Sequence, residues 1–295
     1  MLVRSSPWHP PTLAGMEPFG FESWLERDQD EQLRNAWMAS EQLKLHCNWD
    51  HLPGTCVLCG ASAGFSLAKG ANRSQPDVRE SLVCIACGHN ARVRAGLSLL
   101  RDHLPAGDSL PRVYLTEQVT PTFLWLQRHL RADLSGSEFQ PDKKRLAALT
   151  RSFQKAGGTG EVQFQDVTRL GFSDASLDAI TTFDVLEHVP DYQAAISEFA
   201  RTLRPGGALI ATFPFTDGPD TLVRARMESD GTVTHLLEPE YHGDPISGGV
   251  LCFYHFGWDV LQACRAAGFR SVRMVMPWGH EHGLLYGLWT LIAIR

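Results

Sequence analysis

Four cysteines fall into two CxxC pairs, Cys56-Val-Leu-Cys59 and Cys84-Ile-Ala-Cys87, with 24 residues between them. Each pair can present two thiolates at one tight turn, and two such turns make a tetrahedral set of soft ligands suited to Zn2+. Gly60 and Gly88 follow directly, where a metal-binding knuckle needs backbone free of side-chain hindrance. Four thiols could also hold an iron–sulfur cluster or work as a redox pair. A closed zinc site with four cysteine ligands leaves no position for a substrate, so a structural role is expected, with recognition of a partner as the alternative. Cys47, His46, His51 and His89 lie nearby, but a complete set of four needs none of them. A second reactive group lies between Thr216 and Phe256, in Glu240-Tyr241-His242-Gly243-Asp244-Pro245 and Tyr254-His255-Phe256-Gly257-Trp258. Histidines and carboxylates at this density can move protons, which makes His242, His255 and Asp244 the candidate catalytic groups. His280-Glu281-His282 resembles a metal trio but belongs to a turn expected to be solvated, so no metal is assigned to it.

These residues need elements to hold them. Leu177–Phe183 is a short apolar run ending in Asp184, as expected of a parallel strand buried on both faces with its polar end at a ligand edge. Asp191 is placed to cap a helix that carries Ala195, Ile196, Phe199 and Leu203 at helical spacing. Pro205-Gly206-Gly207 should end that helix, and Ala208–Phe213 should return as a strand. Strand, crossing helix and strand make half of a doubly wound α/β sheet, whose ligands bind at the C-terminal edge. Asp259–Ala267 reads as the last helix, closed by Gly268, with Phe269–Met276 and Leu284–Ile294 as closing antiparallel strands.

The whole stretch Phe172–Phe215 resembles the fourth and fifth strands of class I S-adenosylmethionine-dependent methyltransferases of the type 11 branch. The resemblance rests on Asp184-Val185-Leu186-Glu187-His188-Val189 and on Arg201-x-Leu203-Arg204-Pro205-Gly206-Gly207. It implies a Rossmann-like, seven-stranded methyltransferase sheet that begins at Arg112–Thr116, with S-adenosylmethionine as cofactor. In such enzymes an acid and three glycines follow the first strand; here the acid is Glu117, and Val119, Pro121 and Phe123 stand at the glycine positions. Either this loop takes a wider path with Gln118 and Thr120 as polar contacts, or the pocket has lost its ligand. The resemblance further implies that Glu138 meets the ribose hydroxyls and that Asp166, following a third strand at Val162–Phe164, meets the adenine amino group, with Val167 against the ring. Phe183, Asp184 and His188 would border the methionine part.

Composition bounds the rest. No apolar run is long enough to span a membrane, and the N-terminus lacks the apolar core of a secretory signal, so a cytoplasmic protein is expected. Seven cysteines in such a chain argue for metal or free thiols over disulfides. A net charge of −6 speaks against a general nucleic-acid binder. The expected organisation is an N-terminal tail with amphipathic helices (1–46), a four-cysteine zinc module with a connecting helix (47–104) and a catalytic domain (105–295) whose insert 216–256 covers the active site. The expected function is methyl transfer to a small-molecule oxygen or nitrogen. An RNA or protein methyltransferase guided by the zinc module and a silent methyltransferase-like binding protein are the alternatives, and the oligomeric state is left open.

Overall fold

The computed structural model describes residues 14–19, 24–26, 30–243 and 249–295. Asp244 lies outside the described residues. The chain divides into two compact units, one made of the residues up to Asp102 with Met274–Thr290, the other of His103–Arg273 with Leu291–Arg295.

The first unit carries β1 (Ala14–Phe19), α1 (Glu31–His46), β2 (Phe65–Leu67), α2 (Val78–Ser81), β3 (Leu82–Cys84) and α3 (Ala91–His103). Asp30 caps α1 by accepting from the backbone N–H groups of Gln32 and Leu33. Leu33, Ala36 and Ser40 form its buried stripe, while Trp37 and Met38 face outward. Strands β2 and β3 pair antiparallel, with Phe65 opposite Cys84 and Leu67 opposite Leu82. Val57, Ala91, Ala95, Leu284 and Leu288 pack together as a small core. Short of apolar mass, a unit of this kind depends on a further staple.

The second unit is the α/β domain. Its elements are β4 (Arg112–Leu115), α4 (Pro121–His129), β5 (Asp133–Gly136), α5 (Lys143–Lys155), β6 (Leu177–Phe183), α6 (Tyr192–Thr202) and β7 (Leu203–Thr212), followed by short strands β8 (Leu222–Val223), β9 (Ala225–Met227), β10 (Val233–His235), β11 (Tyr241–His242), β12 (Val250–Leu251) and β13 (Tyr254–His255), then α7 (Val260–Ala266), the first residues of β14 (Ser271–Trp278) and all but the first of β15 (Thr290–Ile294). The sheet runs β14-β15-β7-β6-β4-β5. Strands β5, β4, β6 and β7 are parallel and β15 is antiparallel to β7. A seventh strand, β1, lies antiparallel to β14, with Ala14 opposite Trp278. Every residue of β6 is buried, as its apolar sequence requires of a strand covered on both faces. Its one charged residue, Asp178, accepts from the backbone N–H of Arg112 at 2.6 Å and pairs with Arg204 at 2.5 Å.

Three expectations change. Val162–Phe164 forms no regular strand; a single parallel bridge joins Phe164 to Glu138. The Pro205-Gly206-Gly207 turn lies inside β7, not before it: α6 already ends at Thr202, and Gly206 at φ 83° makes a bulge where the register shifts between Leu177 and Ala179. His282, expected in a solvated turn, is buried, with Nδ1 2.9 Å from the Thr55 carbonyl. Asp191 does cap α6, accepting from Ala194 N–H at 3.0 Å. Among the described residues no helix is long and apolar enough to cross a membrane.

Candidate functional site

In the first unit the four cysteine sulfurs converge within 4.8 Å of one another. Cys56 and Cys87 sulfurs stand 4.0 Å apart, and those of Cys59 and Cys84 3.8 Å. Four sulfurs about 2.3 Å from a central Zn2+ in a tetrahedron stand about 3.8 Å apart, so the spacing fits. Both knuckles use the same bonds: Gly60 N–H reaches the Cys56 carbonyl and Gly88 N–H the Cys84 carbonyl, with the glycines at φ 71° and 74°. Only glycine adopts that conformation without strain, which is what the sequence required of these positions.

The charge balance supports a metal. Arg94 on α3 is fully buried and pairs with no carboxylate among the described residues; its guanidinium donates to the carbonyls of His89, Leu82, His282 and Gly283 and lies 4.4 Å over the Phe65 ring. Burial pushes the Arg94 pKa down, and the neighbouring thiolates of Cys56, Cys84 and Cys87 oppose that shift. A buried cation of this kind needs a buried anion, and four thiolates around one Zn2+ carry a net −2.

In the second unit the C-terminal ends of the parallel strands bring Glu117, Glu138, Asp184 and Thr212 to one edge. Asp184 has φ 57°, one of two non-glycine residues described with positive φ. Thr212 holds it there: Asp184 N–H donates to the Thr212 carbonyl at 2.8 Å, and Thr212 Oγ1 donates to Asp184 Oδ1 at 2.9 Å. Backbone strain of this kind persists where its surroundings enforce it, and it clusters at functional sites.

The loop after β4 explains its missing glycines. Thr120 caps α4 by accepting from Phe123 N–H at 3.1 Å, and Pro121 occupies the first helical turn. Phe123 is buried against Gly136, where a Cβ would stand 2.4 Å from the Phe123 ring. The smallest residue has moved to the facing strand, so the helix start tolerates an aromatic. Gln118 is buried and committed, donating to the Glu161 carbonyl and accepting from Gln163 N–H, each at 2.9 Å. Glu138 is buried too, and its Oε1 accepts from Val119 N–H at 2.5 Å. Asp166 holds a turn through Oδ1, which accepts from Thr168 N–H and Oγ1. Phe183 is buried at the end of β6, and Val167 is half-buried beside Asp166. Two residues the sequence reading passed over sit beside these acids: Phe139 and Phe164, ring centroids 5.8 Å apart, are 68% and 43% exposed. Their adjacency to Glu138 and Asp166 was the available signal.

The insert folds back over the turn after β6. Phe253 N–H donates to the Glu187 carbonyl, Tyr254 Oη to the Pro190 carbonyl and His188 Nδ1 to the Leu251 carbonyl. Beneath, Tyr192, Phe213, Tyr254 and Phe256 form an aromatic layer with centroids 4.6–5.0 Å apart. His242 and His255 are brought together: each places Nε2 against Glu240 Oε1, at 2.9 and 3.1 Å. Arg224 pairs with Glu240 Oε2 at 3.1 Å. Burial would raise the Glu240 pKa, but bonds from both histidines and the Arg224 charge outweigh it and hold the carboxyl below its usual range. His242 Nδ1 lies 3.5 Å from Oε1 of Glu187, a fully buried acid whose pKa burial raises. That carboxylate, with Glu240, pushes His242 up to about 9 against the opposing effect of burial. Glu187 and Glu240 were legible only as parts of their motifs and had no role until the insert closed on them.

Residues 122–211 match the family described as methyltransferase domain. A probable S-adenosylmethionine-dependent methyltransferase of Mycolicibacterium smegmatis is 33% identical over 85 residues, covering 26% of this chain and 33% of that protein. An uncharacterized chloroplastic methyltransferase of Arabidopsis thaliana is 38% identical over 115 residues, covering 37% and 28%. The matched stretches thus span about a third of those relatives' lengths. The crystal structure of an S-adenosylmethionine-dependent methyltransferase from Mesorhizobium loti aligns over 68% of this chain and 98% of its own, at 17% identity and a TM-score of 0.41, too distant to bear on function. The family match thus lies within the α/β sheet of the second unit, from α4 to the end of β7.

Proposed function

We propose that the chain transfers a methyl group from S-adenosylmethionine to an oxygen or nitrogen of a small molecule, in the cytoplasm. One observation carries this: the insert places Glu240, His242 and His255 directly over the turn that follows Asp184 at the ligand edge of the sheet. Bound there, S-adenosylmethionine supplies an electrophilic methyl group that asks for an aligned nucleophile and little water. Glu138 would accept from the ribose hydroxyls, Asp166 would face the adenine amino group, and Phe139 and Phe164 would join Val167 against the ring. Glu117, Thr120, Phe183, Asp184 and His188 would border the rest. His255 is the preferred base, because both nitrogens of His242 already face carboxylates. The four-cysteine set would hold a structural Zn2+, and the absence of disulfides among all seven cysteines suits a reducing compartment.

A silent, binding-only domain is the second reading, favoured by Gln118 and the Val119 N–H being engaged within the protein. Incubating the zinc-loaded protein with a cell extract and methyl-labelled S-adenosylmethionine separates the readings. Label in the small-molecule filtrate supports the proposal. Label in RNA or protein moves the acceptor to a macromolecule, and no transfer at all favours the silent domain.

A further inference from the structure

Among the described residues neither oxygen of the Glu187 carboxylate has a hydrogen-bond partner, although the side chain is fully buried. A buried carboxylate left this way is costly unless a cation meets it. Two histidines turn toward it. His188 Nδ1 lies 2.9 Å from the Leu251 carbonyl, which can only accept, so Nδ1 carries the proton. His188 Nε2, 3.7 Å from Glu187 Oε1, therefore presents a lone pair. His242 Nε2 is likewise fixed as donor by Glu240 Oε1 at 2.9 Å, which leaves Nδ1 as the lone-pair nitrogen of the neutral ring, 3.5 Å from the same Glu187 oxygen. The two rings stand edge to face, 4.9 Å apart. Three lone-pair-bearing atoms thus converge within 4.8 Å of one another.

We propose that Glu187, His188 and His242 form a site for a divalent first-row metal ion such as Zn2+, separate from the four-cysteine set. An imidazole whose far nitrogen is held by a carbonyl or carboxylate is the usual arrangement of a metal-ligating histidine, and both rings show it. Ligands about 2.1 Å from one ion at roughly tetrahedral angles stand about 3.4 Å apart. The observed 3.5 and 3.7 Å separations need only a small contraction. Two imidazoles and one carboxylate suit Zn2+, Fe2+ or Mn2+ and leave positions open for oxygen ligands. A proton on His242 is the competing occupant. It is favoured by the Glu187 and Glu240 carboxylates, so the metal must displace it, and it leaves the His188 lone pair facing the carboxylate. Resting on the methyltransferase reading, the open positions would take a hydroxyl or carboxylate oxygen of the acceptor, which selects oxygen-rich small molecules.

The test is a metal count on the full chain, stripped with chelator, reloaded with Zn2+ and dialysed. The wild type should hold about two ions per chain, and Glu187→Gln and His242→Ala about one each, with circular dichroism showing the fold retained. Glu240→Gln, which meets His242 at the nitrogen facing away from Glu187, should weaken the second ion by about 10–100-fold against a competing chelator. Loading with Co2+ should show a nitrogen–oxygen site beside the thiolate site, lost in Glu187→Gln. One ion in the reloaded wild type overturns the proposal, and so do two ions in folded Glu187→Gln or His242→Ala. Should one variant fail to fold, the others and the wild-type count decide. None of these measurements uses S-adenosylmethionine, so a failure of cofactor binding leaves the metal count standing.

Discussion

Replacing Arg94 by methionine probes the four-cysteine unit at its most sensitive energetic point. The substitution keeps much of the buried volume but removes a cation that donates to four backbone carbonyls and faces three thiolates. Removing one side of a buried charge arrangement costs about 3–5 kcal/mol. At about 4 °C per kcal/mol, where the ranges for smaller and larger domains meet, the melting transition should fall by roughly 15 °C. The thiolate cluster also loses its counter-charge, so zinc should pass faster to a chromophoric chelator, with affinity down about 10–100-fold as for other residues that support metal ligands. Scanning calorimetry and a zinc-release assay read both effects. An Arg94→Met protein that melts with the wild type and keeps its zinc as tightly would refute the charge argument and remove the main structural support for a metal at the four cysteines.

Two further outcomes follow from the second unit. Gly136→Ala drives a Cβ into the Phe123 ring at 2.4 Å and should cost about 1–3 kcal/mol by overpacking, read as a lower midpoint in urea and relieved by adding Phe123→Leu. Phe139→Ser removes an exposed ring, so stability should change by less than about 0.5 kcal/mol. S-adenosylmethionine affinity should nevertheless fall by about 2–10-fold, the worth of one aromatic contact. A loss of stability without a loss of affinity would move Phe139 from the cofactor pocket to the core.

What the sequence revealed, it revealed through local rules. The two knuckles are read from CxxC followed by glycine because those bonds close within a few residues. Asp191, the buried face of α6 and the fully buried β6 follow from capping and periodicity. Long-range compensation was hidden. Nothing near Phe123 announces that Gly136, on the next strand, makes room for it. The Val162–Phe164 run looks like a strand, yet it makes a single bridge, from Phe164 to Glu138, and the N–H groups of Val162 and Gln163 go to side chains. The turn inside β7 misleads for a related reason: glycine both ends helices and forms bulges, and the register with β6 chooses between them. Glu187 shows the limit most clearly. It sits in a motif that marks the fold, and its chemistry appears only when Leu251 and His242, both far along the chain, close over it.

Cofactor binding by the zinc-loaded protein tests the central claim most directly. Isothermal titration calorimetry should show micromolar affinity for S-adenosylmethionine. Glu138→Ala and Glu138→Gln should each weaken it by about tenfold or more, since charge-assisted bonds to a ribose contribute about 1.5–3 kcal/mol. The glutamine variant keeps an acceptor for the Val119 N–H, so its loss reports the ligand contact and not the loop. No heat of binding up to millimolar cofactor, from a folded protein with zinc in place, would contradict the methyltransferase account and leave the domain a binding module.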